Sequence, residues 1–145
     1  MRWLDEVTLF FVLFMCGNEL AVSAFINPAL WKTDNPAMAG EFASSLGAAM
    51  PAWYALCLVL LALEAYLGWQ RPGHVLVLAA AVLWAVVILC TVTMLVPLNN
   101  RLALLKRGTA VPDWLKISKQ WDTLHRIRIA SLTVAAVLFY NGLRR

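Results

Sequence analysis

Apolar residues fall into four blocks separated by short polar stretches. From Val7 to Ile26 the one carboxylate is Glu19, and from Pro51 to Gly68 it is Glu64. Val75 to Val96 carries no charge, nor does Ile129 to Tyr140, a block that extends back through Leu124. A bilayer-spanning helix needs about 20 residues, within a range of roughly 17–25. The first and third blocks reach that length outright. The second and fourth reach it when their polar flanks lie at the headgroups. A span in hydrocarbon must satisfy its own backbone, so runs this long and this few predict helices. The expected fold class is all-α: a single integral membrane domain over residues 1–145, built as a four-helix transmembrane bundle.

The breakers set the boundaries. Helix 1 is expected from about Leu4 to Asn27, closed by Pro28. Helix 2 is expected to start near Pro51, a favourable first-turn residue, and to end at Gly68. The short link LGWQRPGH predicts an antiparallel hairpin into helix 3, from about His74 to Val96. Pro97 predicts a kink or break, with helical character resuming through NNRLALLK to Gly108. Helix 4 is expected from about Trp121 to Tyr140. The first-loop stretch AMAGEFASSLGAAM is small and weakly amphipathic, which suits a short interfacial helix.

Composition agrees with a membrane protein. Apolar residues make up 62% of the chain and charged residues 14%, against roughly a quarter charged in ordinary soluble domains. Trp3, Trp31, Trp53, Trp69 and Trp121 sit at or near predicted span ends, as an interfacial belt would. Arg2 is followed closely by Asp5 and Glu6, and no small-residue cleavage pattern follows the first apolar run. That block is therefore expected to stay as a span. The net charge of +4 has no basic stripe with interleaved aromatics, so no nucleic-acid partner is expected. The expected partners are the lipid bilayer and a hydrophobic small molecule, and a homo-oligomer is left open. Loops one and three carry Lys32, Arg101, Lys106, Arg107, Lys116 and Lys119, which favours those loops on the cytoplasmic side of a multi-pass cell-membrane protein.

Cys16, Cys57 and Cys90 lie in three different spans without ligand or redox spacing. The two histidines lie toward opposite faces, which excludes a multi-histidine metal or haem site. No phosphate-cradling glycine motif is present. No cofactor and no metal site is predicted.

The polar residues inside the blocks converge. Glu19, Ser23 and Asn27 are spaced by four on helix 1, next to Asn18. Thr93, Pro97 and Asn100 on helix 3 reach the same side, and their spacing predicts that Asn100, more than Asn99, faces the bundle. Helix 4 opens with WDTLHRIR, whose Trp121, His125 and Arg128 share a face. An ionisable group at mid-membrane is costly and marks a site or a proton path, with a hydrogen-bonded structural carboxylate as the alternative. His125 has a pKa class suited to proton transfer, and Arg128 suits pairing with Glu19 or with an anionic ligand oxygen. Candidate catalytic residues are His125, Glu19, Arg128 and Asn100. Candidate substrate-binding residues are Asn18, Ser23, Asn27, Asn99 and Trp121. Glu64 lies toward the opposite face, near Arg71 and His74, and a local pairing is expected there.

CGNELAVSAFINPALW, the small-residue segment before Pro51, PLNNRL and WDTLHRIRIA together resemble the anthrone oxygenase-like (DUF1772) family of small membrane proteins. The resemblance implies cofactor-independent oxidation of a flat aromatic substrate by O2. The family's polar positions fall on Asn99, Asn100, Trp121, His125 and Arg128, with Glu19 less clearly part of the pattern. Two other function classes fit the same sequence. One is a proton-coupled exporter using Glu19, marked by a Glu19 pair across a dimer axis. The other is a non-catalytic subunit of a membrane complex, marked by a filled bundle centre.

Overall fold

The computed structural model describes residues 2–145. Its long helices are α1 (Trp3–Thr33), α2 (Pro36–Leu67), α3 (His74–Arg107) and α4 (Trp114–Leu143), and they run alternately up and down. Among the described residues α1, α2 and α3 are long and apolar enough to cross a bilayer. α4 is 30 residues long and concentrates its charges between Lys116 and Arg128, ahead of an uncharged second half.

Contacts at the two ends fix the topology. Where loops one and three lie, the Trp31 indole donates to Ser118 Oγ at 2.9 Å, and Lys106 Nζ pairs with Glu41 at 3.0 Å. A Cβ on Gly40 would collide with the backbone of Leu105 and Lys106, so α2 and α3 touch there main chain to main chain. At the opposite end Arg71 pairs with Asp5 at 3.0 Å. Glu64 lies 3.4 Å from Arg2 and 3.8 Å from Arg71, so its expected local partner is one of two arginines. A Cβ on Gly73 would strike the Gly142 backbone, so the α2–α3 hairpin closes on the end of α4. Loops one and three therefore share a face, as the span count requires.

The prolines do not end helices where the sequence suggests. α1 continues past Pro28 to Thr33, and α2 begins at Pro36 with Pro51 in its interior. The small-residue stretch before Pro51 is helical, but it is joined to α2 rather than lying apart at the interface. Asn35 starts α2 by accepting the Met38 amide at 3.2 Å, with Pro36 in the first turn. α4 likewise begins at Trp114, a full two turns before Trp121.

Widened turns accompany two of these prolines. Val22–Ile26 in α1 and Thr91–Leu95 in α3 are π-helical, and each ends two residues before a proline, Pro28 and Pro97. Proline lacks the amide for the usual bond, and its ring crowds the carbonyl four residues back, here Ala24 or Thr93. A π turn moves that carbonyl aside without ending the helix. The break expected at Pro97 is thus a wide turn just before it, followed by the helical segment Val96–Ala103.

The main core fills the half of the bundle nearer the termini, around Val12, Met15, Leu61, Trp84, Leu132 and Phe139, all fully buried. A smaller cluster of Ala39, Ala43, Leu102, Leu105, Trp114 and Ile117 packs the loop end. Between them, at the level of both π turns, a third cluster of Val22, Leu95 and Trp121 packs beside a gap.

Candidate functional site

A cavity of about 220 Å³ lies in that gap, with walls from all four helices. Glu19, His125, Arg128, Trp121, Asn99 and Asn100 from the sequence-derived set line it. Asn18, Ser23 and Asn27 are not among its lining residues.

Glu19 stands near the middle of α1 and is 1% exposed. Its Oε2 accepts from Arg128 Nη2 at 2.6 Å. The same Nη2 is 2.7 Å from His125 Nδ1, and His125 Nε2 is 2.9 Å from the Glu19 backbone oxygen. A carbonyl only accepts, so Nε2 carries the hydrogen. Nδ1 is then the acceptor, and the two Nη2 hydrogens divide between Glu19 and His125. His125 Nδ1 and Glu19 Oε2 lie 3.1 Å apart, two acceptors held together by the one nitrogen that donates to both. The Glu19 carbonyl sits in the last α turn before the Val22–Ile26 segment, where the regular bond pattern changes.

Aromatic rings hold the arginine. Its guanidinium carbon is 5.4 Å from the Tyr54 ring centre and 5.9 Å from that of Trp121. Trp121 in turn stacks on His125, with centres 4.6 Å apart and planes at 20°. Arg128 Nη1 reaches Thr91 Oγ1 at 3.5 Å, while Nε is buried without a partner.

The two asparagines differ in what they do. Asn99 Nδ2 donates to the Ala43 carbonyl at 2.9 Å and ties α3 to α2. Asn100 makes no such tie and is exposed at the edge of the cavity. Thr93 and Pro97 are exposed as well, so the face predicted from their spacing with Asn100 is not the inner one. Buried Leu95 and Leu102 mark the inner side of α3 instead.

Ser23 and Asn27 serve a residue the sequence reading did not single out. Asp122, 3% exposed, accepts from Ser23 Oγ at 2.9 Å and from Asn27 Nδ2 at 2.6 Å. Arg126 closes the group from outside at 2.8 Å, its side chain 62% exposed. Asn18 is half-buried and reaches only Met50 Sδ, at 3.9 Å.

Tyr54 was also missed. It is 5% exposed, lines the cavity and has no partner for its hydroxyl. Starting helix 2 at Pro51 puts Tyr54 at the interface, where a hydroxyl finds water. With α2 starting at Pro36, it falls in the interior.

The anthrone oxygenase family profile matches residues 41–138. That segment holds α3, most of α2 and α4, and all the cavity residues except those of α1, so Glu19 lies outside it. No curated protein and no solved structure matches the chain.

Proposed function

The chain belongs to the anthrone oxygenase family, and from that premise we propose that it oxidises a flat, hydrophobic anthrone-like or quinol-like substrate with O2 inside the bilayer. The observation that carries the reading is the Glu19–Arg128 pair set into the wall of a cavity, with Arg128 Nε still free to donate.

The chemistry needs a base and a stabilised oxyanion. Removing a proton from the methylene of an anthrone leaves a carbanion whose charge is delocalised onto the carbonyl oxygen. That anion gives an electron to O2, and the radical pair combines into a carbon-bound peroxide. Loss of the second methylene hydrogen with O–O cleavage yields a carbonyl and water. The carbon loses two hydrogens and gains one oxygen, while the second oxygen of O2 leaves as water.

Glu19 is the better-placed base, because both nitrogens of His125 are engaged, one with the Glu19 carbonyl and one with Arg128. His125 orients the pair. Arg128 supports the developing negative charge in a site screened from water. The exporter reading is less well supported, since Glu19 is satisfied within one chain rather than across an axis.

The test is turnover of a panel of anthrones and quinols by purified protein in detergent, with and without oxygen, and product identification by mass. An anthrone is expected to gain one oxygen atom from isotopically labelled O2 and lose two hydrogens, with water as the second product; a quinol is expected to lose two hydrogens and gain no label, with O2 reduced to hydrogen peroxide. Equal conversion by the protein and by detergent alone would overturn the reading.

A further inference from the structure

Six of the residues lining the cavity are exposed on the outside of the bundle, and they form two facing rows. Gly47, Pro51 and Ala55 are spaced by four on α2, and Val92, Val96 and Asn100 are spaced by four on α3. Residues four apart stand above one another on a helix. The rows therefore border a slit that runs along the two helices. Small side chains on α2 leave it open, and the π turn at Thr91–Leu95 lies along the opposite edge. The slit is bounded at one end by Asn99, whose amide crosses beside Gly47 to the Ala43 carbonyl at 2.9 Å, and at the other by the Trp84 indole donating to the Tyr54 carbonyl at 3.2 Å. A surface exposed along the middle of two spanning helices faces lipid, not water.

The polar atoms of the cavity lie at its inner wall. Tyr54 is more than nine-tenths buried there, and its hydroxyl stands near the Glu19 carboxyl without a well-formed hydrogen bond of its own. A buried hydroxyl without a partner costs free energy that a ligand acceptor can restore.

We infer that the ligand enters sideways from the bilayer through the slit between α2 and α3, and that Tyr54 holds its single inward-facing oxygen. The occupant is a fused aromatic ketone or phenol already dissolved in the membrane. Its oxygen-bearing edge meets Tyr54 beside Arg128, and its hydrocarbon edge stays between Pro51, Ala55, Val92 and Val96. The inference rests on the proposed oxidation for the class of ligand, but it concerns binding and route rather than turnover.

The experiment measures equilibrium binding and association rate of radiolabelled 9,10-anthraquinone and anthracene to the full chain in lipid nanodiscs. Wild type is expected to bind the ketone more tightly than the hydrocarbon. Tyr54→Phe should weaken anthraquinone binding about tenfold and leave anthracene unchanged. Ala55→Trp should slow association of both probes about tenfold or more by filling the slit. Val92→Trp does the same from the other helix and covers the case in which the first variant folds poorly. Leu63→Trp, on a lipid-facing position of α2 away from the cavity, should associate as wild type does. Unchanged anthraquinone affinity in Tyr54→Phe, no binding of either probe to wild type, or wild-type association rates in both slit variants would each overturn the inference. Discrimination between the probes by a protein that consumes no oxygen with any member of the anthrone panel would overturn the oxidation and support the slit.

Discussion

Arg128 Nη2 lies 2.6 Å from Glu19 Oε2 and 2.7 Å from His125 Nδ1, so one nitrogen joins a carboxylate from α1 to an imidazole on its own helix. The side chains of Glu19 and Arg128 are 2% and 9% exposed. Breaking one partner of such a pair leaves a buried charge, which costs about 3–5 kcal/mol, whereas replacing both with apolar groups is often neutral. Arg128→Leu should therefore destabilise the protein more than the double variant Glu19→Leu/Arg128→Leu. Thermal unfolding in detergent checks it; equal losses in the two proteins would show that the pair is not coupled.

Turnover should separate the roles within this group. Glu19→Gln keeps the shape and removes the base, and should lower the single-turnover rate by about a hundredfold or more. Asn100→Leu should lower folded yield little, because Asn100 makes no cross-helix bond. Asn99→Leu removes the donor to Ala43 and should cost about 1 kcal/mol of stability. Fluorescence-detected size exclusion after heating measures the contrast between the two.

The Asp122 group predicts an unequal pair. Asp122→Leu leaves Ser23 and Asn27 with buried unsatisfied donors, at about 1–3 kcal/mol. Arg126→Ala removes an exposed partner and should cost about 0–1 kcal/mol. Unfolding midpoints of the two variants give the comparison, and a larger loss in Arg126→Ala would contradict the burial argument.

Glycine substitutions should sort by contact. Gly73→Ala has no room against Gly142 and should lower the unfolding midpoint sharply. Gly17→Ala meets nothing within 4 Å and should be neutral or slightly stabilising.

Labelling tests the orientation proposed from the basic loops. Cysteines placed at Asp34 and Thr109, in a background lacking the native three, should react together and from the cytoplasmic side. Labelling from opposite sides would contradict the fold itself.

Much of this was legible from residue order. Four apolar blocks gave four helices, and shared spacing put Glu19, His125 and Arg128 at one end of the bundle. What escaped was where the prolines act. Pro28 and Pro51 read as helix ends by rules learned in water, where a freed carbonyl can be solvated. Within a bundle in lipid the helix continues and adjusts locally, as the π turn before Pro28 does. That one misreading hid Tyr54, by placing it at an interface. The facing of Asn100 was misread for another reason: Thr93, Pro97 and Asn100 do share a face, but it is the outer one, because Leu95 and Leu102 take the inner side and spacing among polar residues does not say which face is buried. Asp122 was quoted with its neighbours, yet its burial depended on partners from α1 that no local pattern reveals.

The two π turns can also be counted as insertions. Each holds one residue more than the regular turn it replaces, and one residue is about 100° of rotation around a helix axis. Everything beyond Ile26 in α1 and beyond Leu95 in α3 is therefore turned relative to where a straight helix would have carried it. Asn27 reaches Asp122, and Asn99 reaches the Ala43 carbonyl, from those rotated segments. Removing a single residue from either turn would restore a plain helix and swing its loop-side third toward lipid. The length of α1 and α3 is in this sense set to the residue, and a relative lacking one at either place would have to hold its loop end with different side chains.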